Sequence, residues 1–138
     1  MHKPEDQDRV ASLSAVFAPR SIAVVGASDD VRKIGGVPVD YQRRFGYAGA
    51  LYAVNPRQAQ VQGLVQGLPS FASLRAIGAP VDLAILAVPA AQARAALEDA
   101  AAAGVRGVLM FTAGYAETGP DGAREQAALS DLARQAGI

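Results

Sequence analysis

The chain has 138 residues, the size of one common domain, and 51% of them are hydrophobic, enough for a core and too many for a disordered segment. Thirteen basic and thirteen acidic side chains cancel, which argues against nucleic acid or an acidic membrane surface as the main partner. The absence of cysteine excludes disulfides, thiolate metal sites and cysteine nucleophiles. No apolar run is long enough to span a bilayer. The segment from Met1 to Arg9 is polar, carries both charge signs and does not read as a signal peptide, so the expected location is cytoplasmic.

Residues 1–12 are charged and expected to form a flexible tail, with one domain over residues 13–138. Leu13, Val16 and Phe17 suggest a helical turn docked on that domain and ended by Pro19. Ile22 to Val25 is a β-branched run stopped by Gly26, the pattern of a central strand buried on both faces. A loop rich in Ser and Asp follows, and a helix is expected from Gly35, with Pro38 in its first turn and Gly46 at its end. Val37, Tyr41 and Phe45 recur every four residues and are expected on its inner face.

Leu51 to Val54 is a second strand, ended by Asn55-Pro56. An extended piece between Val61 and Leu68 is interrupted by glycines, and Ser70 is expected to cap a short helix running to Ile77. Asp82 to Val88 gives the strongest strand signal. Ala91 to Ala103 is an alanine-rich helix whose small side chains allow close approach to a sheet. Val108 to Phe111 is a further strand, residues 119–122 a turn, and Ala123 to Ala136 a last helix with Leu129, Leu132 and Ala133 inward. Strands alternating with helices predict an α/β fold. The expected architecture is Rossmann-like: a single domain with a mostly parallel sheet and helices on both faces.

Ligands of such sheets sit outside the carboxyl ends of the strands. Those ends here are Gly26-Ala27-Ser28, Asn55-Pro56-Arg57, Pro89-Ala90 and Ala113-Gly114-Tyr115, each of which carries small or turn-forming residues. Gly26 and Ser28 lead toward a helix start near Gly35, where free N–H groups favour phosphate; the alternative is a plain strand-to-helix turn. The G-x-G-x-x-G dinucleotide spacing is absent. An NAD site usually carries an acid after the second strand. Arg57 stands there instead, suited to an extra ribose phosphate, 2′ in NADP or 3′ in coenzyme A, unless it is only a solvated loop charge. Lys33 is a second candidate phosphate contact, unless it too is only solvated, and Arg32 is a weaker one. Ser28 either meets a ligand or caps a turn, and Tyr115 either stacks on a ligand or covers the sheet edge. His2, the one histidine, lies in the tail, Glu117 and Asp121 read as solvated turn residues, and no catalytic set or metal cluster can be assembled. The residues equip the domain to bind and not to react.

Taken together, Ser21-Ile22-Ala23-Val24-Val25-Gly26-Ala27-Ser28, Lys33 with Gly35, and Tyr52-Ala53-Val54-Asn55-Pro56-Arg57 resemble the CoA-binding domain of NDP-forming acyl-CoA synthetases, relatives of the succinyl-CoA ligase alpha subunit. The resemblance continues through Leu68-Pro69-Ser70, Val81 to Ala90, Gly104-Val105 and Thr112 to Gly119, and spans about Phe17 to Ile138. It implies that Gly26, Ala27, Ser28, Lys33 and Gly35 hold the phosphates of coenzyme A. It implies that Asn55, Pro56 and Arg57 lie near the adenosine 3′-phosphate, with Arg57 where the family often has lysine. Val88, Pro89 and Ala90 would pack along adenine and ribose, and Ala113, Gly114 and Tyr115 would line the path of the pantetheine arm. In the family a Gly-Pro-Asn segment, a phosphohistidine domain and a nucleotide-binding grasp domain follow; this sequence stops at Gly137-Ile138. It resembles an N-terminal piece of a longer protein that joins an acid to CoA at the expense of a nucleoside triphosphate. Some relatives fuse this region to an acetyltransferase instead. The expected partners are coenzyme A or acyl-CoA and the remaining ligase domains, with no nucleic acid, membrane or metal, and no catalysis by this chain alone. The alternatives are a free-standing CoA-binding regulatory protein and an NADP-binding oxidoreductase domain.

Overall fold

The computed structural model describes residues 13–57, 63–111 and 119–138. A helical turn over 13–17 precedes strand β1 (Ser21–Val25), helix α1 (Val37–Arg44), β2 (Ala50–Val54), β3 (Leu64–Val65) and β4 (Leu68–Phe71). A 3₁₀ turn (Arg75–Ile77), β5 (Leu83–Leu86), α2 (Ala90–Ala102), β6 (Gly107–Met110) and α3 (Pro120–Ala136) complete the described elements.

The sheet order is β3-β4-β2-β1-β5-β6. Every pairing is parallel except that of β3 with β4. The chain steps outward from β1 to β2 and β4, then returns to the other side of β1 for β5 and β6. This reversal makes the gap between the ends of β1 and β5 the topological switch point, where open α/β sheets bind ligands. All five residues of β1 and all four of β5 are buried, as a strand covered on both faces requires. Alternation divides them: Ala23 and Val25 join Leu97 and Ala100 of α2 and Leu129 of α3 in one core layer. Ile22 and Val24 join Val39 of α1 in the other. Helices therefore cover both faces, and the expected single Rossmann-like α/β domain is the one observed. Each fully buried Val or Leu contributes about 1.5–3 kcal/mol, so these two layers dominate the stability.

Three expectations are corrected. Tyr41 and Phe45 are 51% and 82% exposed, while Pro38 and Val39 are the buried residues of α1. The helix start sets this rotation: a Cβ on Gly35 would lie 1.9 Å from the Gly26 carbonyl oxygen, and one on Gly36 1.9 Å from that of Asp30. Only a glycine face fits against those carbonyls, and Val39, one turn on, follows it inward. Ser70 starts no helix. It lies in β4 and donates its hydroxyl to the Asn55 carbonyl at 3.1 Å, while the 3₁₀ turn is held by Ser73 Oγ, which accepts from the Ala76 N–H at 3.1 Å. The turn over 13–17 docks through buried Ala15, leaving Leu13 and Phe17 outside. Residues 1–12, expected as a tail, lie outside the described residues.

Candidate functional site at the switch point

Gly26 ends β1 with φ +82°, and its N–H donates to the Val54 carbonyl at 2.9 Å. A Cβ there would lie 2.3 Å from the Ala87 carbonyl oxygen and 3.0 Å from Val88 Cγ1. Glycine thus meets two demands, a left-handed backbone and contact between the ends of β1 and β5. Ala27 is fully buried; its carbonyl accepts from Asn55 Nδ2 at 2.8 Å. Ser28 Oγ accepts from the Asp30 N–H at 3.1 Å, so its hydroxyl closes a local turn.

Asn55, expected only as a strand end, also caps a helical start. Its Oδ1 accepts from the Arg57 N–H at 3.0 Å, and Pro56 and Arg57 are helical. Asn followed by Pro is the expected signal for such a start. Asn55 therefore ties the ends of β1 and β2 together, and the exposed Arg57 side chain stands on the first helical turn beyond β2.

A cleft of about 510 Å³ lies beyond the ends of β1, β2 and β5. It brings together Gly26, Asn55, Pro56, Val88 and Pro89 of the expected site residues. Ala91, Ala95 and Ala96 form its helical wall, and Ser73, Gln92 and Asp99 also line it. These residues come from the flank of α2 and the turn after β4, away from the strand ends where the sequence places a ligand. Their one signal in the sequence is helical spacing: Ala91 and Ala95, and Gln92 and Ala96, stand four residues apart on one helix face. Asp99 is engaged: it accepts from the Leu74 N–H at 2.8 Å and from Arg75 Nε at 2.9 Å. Helix α2 begins at the cleft with Pro89 as N-cap, no side-chain cap and no acid in its first turn. The Gln92 N–H donates to the Pro89 carbonyl at 2.9 Å, which leaves the N–H groups of Ala90 and Ala91, without intrahelical partners, to suit an anion or another hydrogen-bond acceptor.

Ala27, Ser28, Lys33, Gly35, Arg57 and Ala90 do not line the cleft. Gly35 is buried against Gly26, and Lys33 is exposed on the neighbouring loop. In that loop Arg32 donates to both carboxylate oxygens of Asp30, at 3.1 and 3.2 Å. These side-chain bonds, with the Arg32 backbone N–H, hold the Asp30 carboxyl below its ordinary pKa. Arg32 is thereby occupied, and Lys33 is the loop's cation with its charge turned to solvent. Ala113, Gly114 and Tyr115 lie outside the described residues.

A second cleft of about 560 Å³ opens at the opposite end of the sheet, lined by residues including Arg20, Ser21, Asp82 and Arg106. A chain of hydrogen bonds crosses it: the Arg20 N–H donates to Asp82 Oδ2 at 2.8 Å, the Asp82 N–H to Ser21 Oγ at 2.9 Å, and Ser21 Oγ to the Pro80 carbonyl at 3.0 Å. That end is a structural junction. Among the described residues no three metal-binding side chains cluster, and no helix is long and apolar enough to cross a membrane.

A five-stranded parallel core with a glycine turn, a switch-point cleft and an uncapped helix start defines a nucleotide-type Rossmann-like binding domain. Residues 20–138 match the family model described as CoA binding domain, and the chain belongs to that family. It is 37% identical over 126 residues to the alpha subunit of ADP-forming acetate–CoA ligase II from Pyrococcus furiosus, covering 91% of this chain and 26% of that protein. It is 33% identical over 126 residues to ADP-forming acetate–CoA ligase I from Archaeoglobus fulgidus, covering 91% of this chain and 18% of that one. Among solved structures, the dinucleotide-forming acetyl-coenzyme A synthetase 1 of Korarchaeum cryptofilum, in complex with phosphate and ADP, superposes with a TM-score of 0.84. There the identity is 29%, over 93% of this chain and 26% of that one. The chain thus spans about a quarter or less of the length of these relatives, and is homologous to the N-terminal part of ADP-forming acyl-CoA synthetases.

Proposed function

We propose that the switch-point cleft binds the adenosine end of coenzyme A, and that the domain serves a longer acyl-CoA synthetase as its CoA-holding part. The observation that carries this reading is the make-up of the cleft: apolar alanine and valine walls beside an uncapped helix start, at the switch point of a chain belonging to the CoA-binding domain family. A cleft of about 510 Å³ falls within the range of about 300–1,000 Å³ common for small-molecule sites. The wall of Ala91, Ala95 and Ala96 leaves room for a flat base between helix and sheet. Val88 and Pro89 would border adenine and ribose. The phosphates would lie toward the loop that bears Lys33, and the 3′-phosphate toward Arg57.

No acid follows β2, where an NAD site places one on the ribose, and Asp99 in the cleft already accepts from Leu74 and Arg75. Both features disfavour NADH. Bound coenzyme A supplies the thiol that carries the acyl group. The residues of this chain bind and orient it: Gly26 lets backbone approach, the α2 N-terminus offers N–H donors, and Lys33 and Arg57 supply positive charge. In this reading the transfer chemistry belongs to other ligase domains, and the domain is a cytoplasmic module.

Thermal denaturation tests the reading. A ligand that binds only the folded state at a hundredfold excess over Kd adds about 2.7 kcal/mol. With roughly 2.1 cal/mol/K of unfolding entropy per residue over 138 residues, each kcal/mol moves Tm by about 3–4 °C. Saturating CoA should therefore raise Tm by about 9 °C. An unchanged Tm at millimolar CoA would sink the reading.

A further inference from the structure

The turn between β3 and β4 lies against the loop that joins β1 to α1, and the contact runs through one residue, Gln66. Gln66 and Gly67 form a two-residue hairpin turn with φ of +48° and +81°. Positive φ at both central residues matches the twist of the strands, and Gly, Asn or Asp usually fill such positions. Gln66 is the one non-glycine with positive φ among the described residues. Glutamine has no local advantage there, because its Cβ meets the penalty that glycine avoids.

Its surroundings explain its presence. Gln66 Nε2 donates to the Ser28 carbonyl at 2.8 Å and to the Gly36 carbonyl at 3.0 Å. Its backbone N–H donates to Asp29 Oδ1 at 2.7 Å, and its carbonyl accepts from Arg43 Nη1. One residue thus bridges the loop's first residues, the N-cap of α1 and the body of α1. Within the loop, the Ser28 N–H donates to the Gly35 carbonyl at 3.2 Å and the Gly36 N–H to the Lys33 carbonyl at 2.9 Å. Both carbonyls that receive the amide flank the segment carrying Lys33. The half-buried amide is the point at which the hairpin fixes the distance between the two ends of this loop.

We propose that Gln66 is a positioning residue, a latch that holds loop 28–36 in the shape that receives the phosphates of the bound nucleotide. The proposal rests on the reading that coenzyme A binds at this edge of the sheet. The latch acts through the loop and touches no ligand itself. Holding the loop in advance lowers the ordering cost at binding, so its loss weakens affinity without removing any ligand contact.

Two variants test this. Gln66→Glu keeps the length but replaces the donating amide with a carboxylate facing two carbonyls and Asp29. Gln66→Gly removes the amide yet relieves the positive φ, so its fold is not put at risk by backbone strain. Amide hydrogen exchange and CoA calorimetry are measured on wild type and both variants. The amides of Ser28 and Gly36 should exchange roughly tenfold or more faster in both variants, the size expected for two neutral hydrogen bonds. Amides of β5 should keep their wild-type protection in Gln66→Gly, which a general loss of stability would not allow. CoA affinity should fall by about tenfold in both. Unchanged exchange at Ser28 and Gly36, or loosened exchange with unchanged CoA affinity, overturns the latch. Wild-type protein that fails to bind CoA overturns the ligand reading instead, and the exchange data then judge the hold on the loop alone.

Discussion

Gly26→Ala asks whether the site-bearing junction needs glycine for two separate reasons. The backbone there has φ +82°, and an L side chain in that region costs about 1–2 kcal/mol. The new Cβ would also lie 2.3 Å from the Ala87 carbonyl oxygen. That atom is backbone, so β1 and β5 must part, and overpacking of this kind costs about 1–3 kcal/mol more. The sum is about 2–5 kcal/mol, a fall in Tm of roughly 7–17 °C for a chain of this length. Gly104→Ala is the control: φ is +74° but nothing lies within 4 Å of the added carbon. It should lose only the backbone share, about 3–7 °C. The reduced unfolded-state entropy of alanine enters both variants and cancels between them. Ligand-free melts by circular dichroism read the difference. Equal losses in the two variants would refute the argument that close strand approach demands glycine at position 26.

Two further perturbations probe charge. Arg57→Ala should weaken CoA about tenfold while leaving dephospho-CoA nearly unchanged, the low end for a charge-assisted hydrogen bond at an exposed side chain. Lys33→Ala should weaken both ligands alike, because both carry the diphosphate, and calorimetric Kd ratios distinguish the two roles; an unaltered ratio in Arg57→Ala would displace the 3′-phosphate from the end of β2. Tyr47 donates its hydroxyl to the Pro19 carbonyl at 2.7 Å, and burial, then the nearby Asp82 charge, push its pKa up. The folded state therefore holds this proton more tightly than the unfolded chain. Its contribution is full below about pH 10, the unfolded value, and is lost as pH rises through the folded pKa. Tyr47→Phe should lower Tm at neutral pH through a lost bond of about 0.5–1.5 kcal/mol, and its deficit should shrink in alkaline melts; a deficit constant with pH would contradict the assignment.

What the sequence made legible were elements whose pattern is local. The continuous runs of β1 and β5 and the alanine-rich α2 announce burial and close packing by composition alone. Strand β4 and the two-residue β3 are set by pairing across the sheet, Ala53 with Ser70 and Leu64 with Pro69, whereas the residue type of Ser70 by itself signals a helix cap. The four-residue spacing in α1 pointed to Tyr41 and Phe45, whereas glycine contacts at Gly35 and Gly36 decided its rotation. The strand ends around the cleft, Gly26, Asn55, Val88 and Pro89, were readable because a parallel sheet puts its ligand edge at known chain positions. Gln66 was not, because glutamine carries no signal for a positive φ and its partners lie more than twenty residues away at Ser28 and Gly36.

Titration calorimetry of the isolated protein with CoA, NADPH and NADH at millimolar ligand bears most directly on the central claim. The account predicts a one-to-one isotherm for CoA, with NADPH weaker and NADH weakest, since the end of β2 offers arginine where an NAD site offers an acid. Clear NADH binding with no heat from CoA would contradict it.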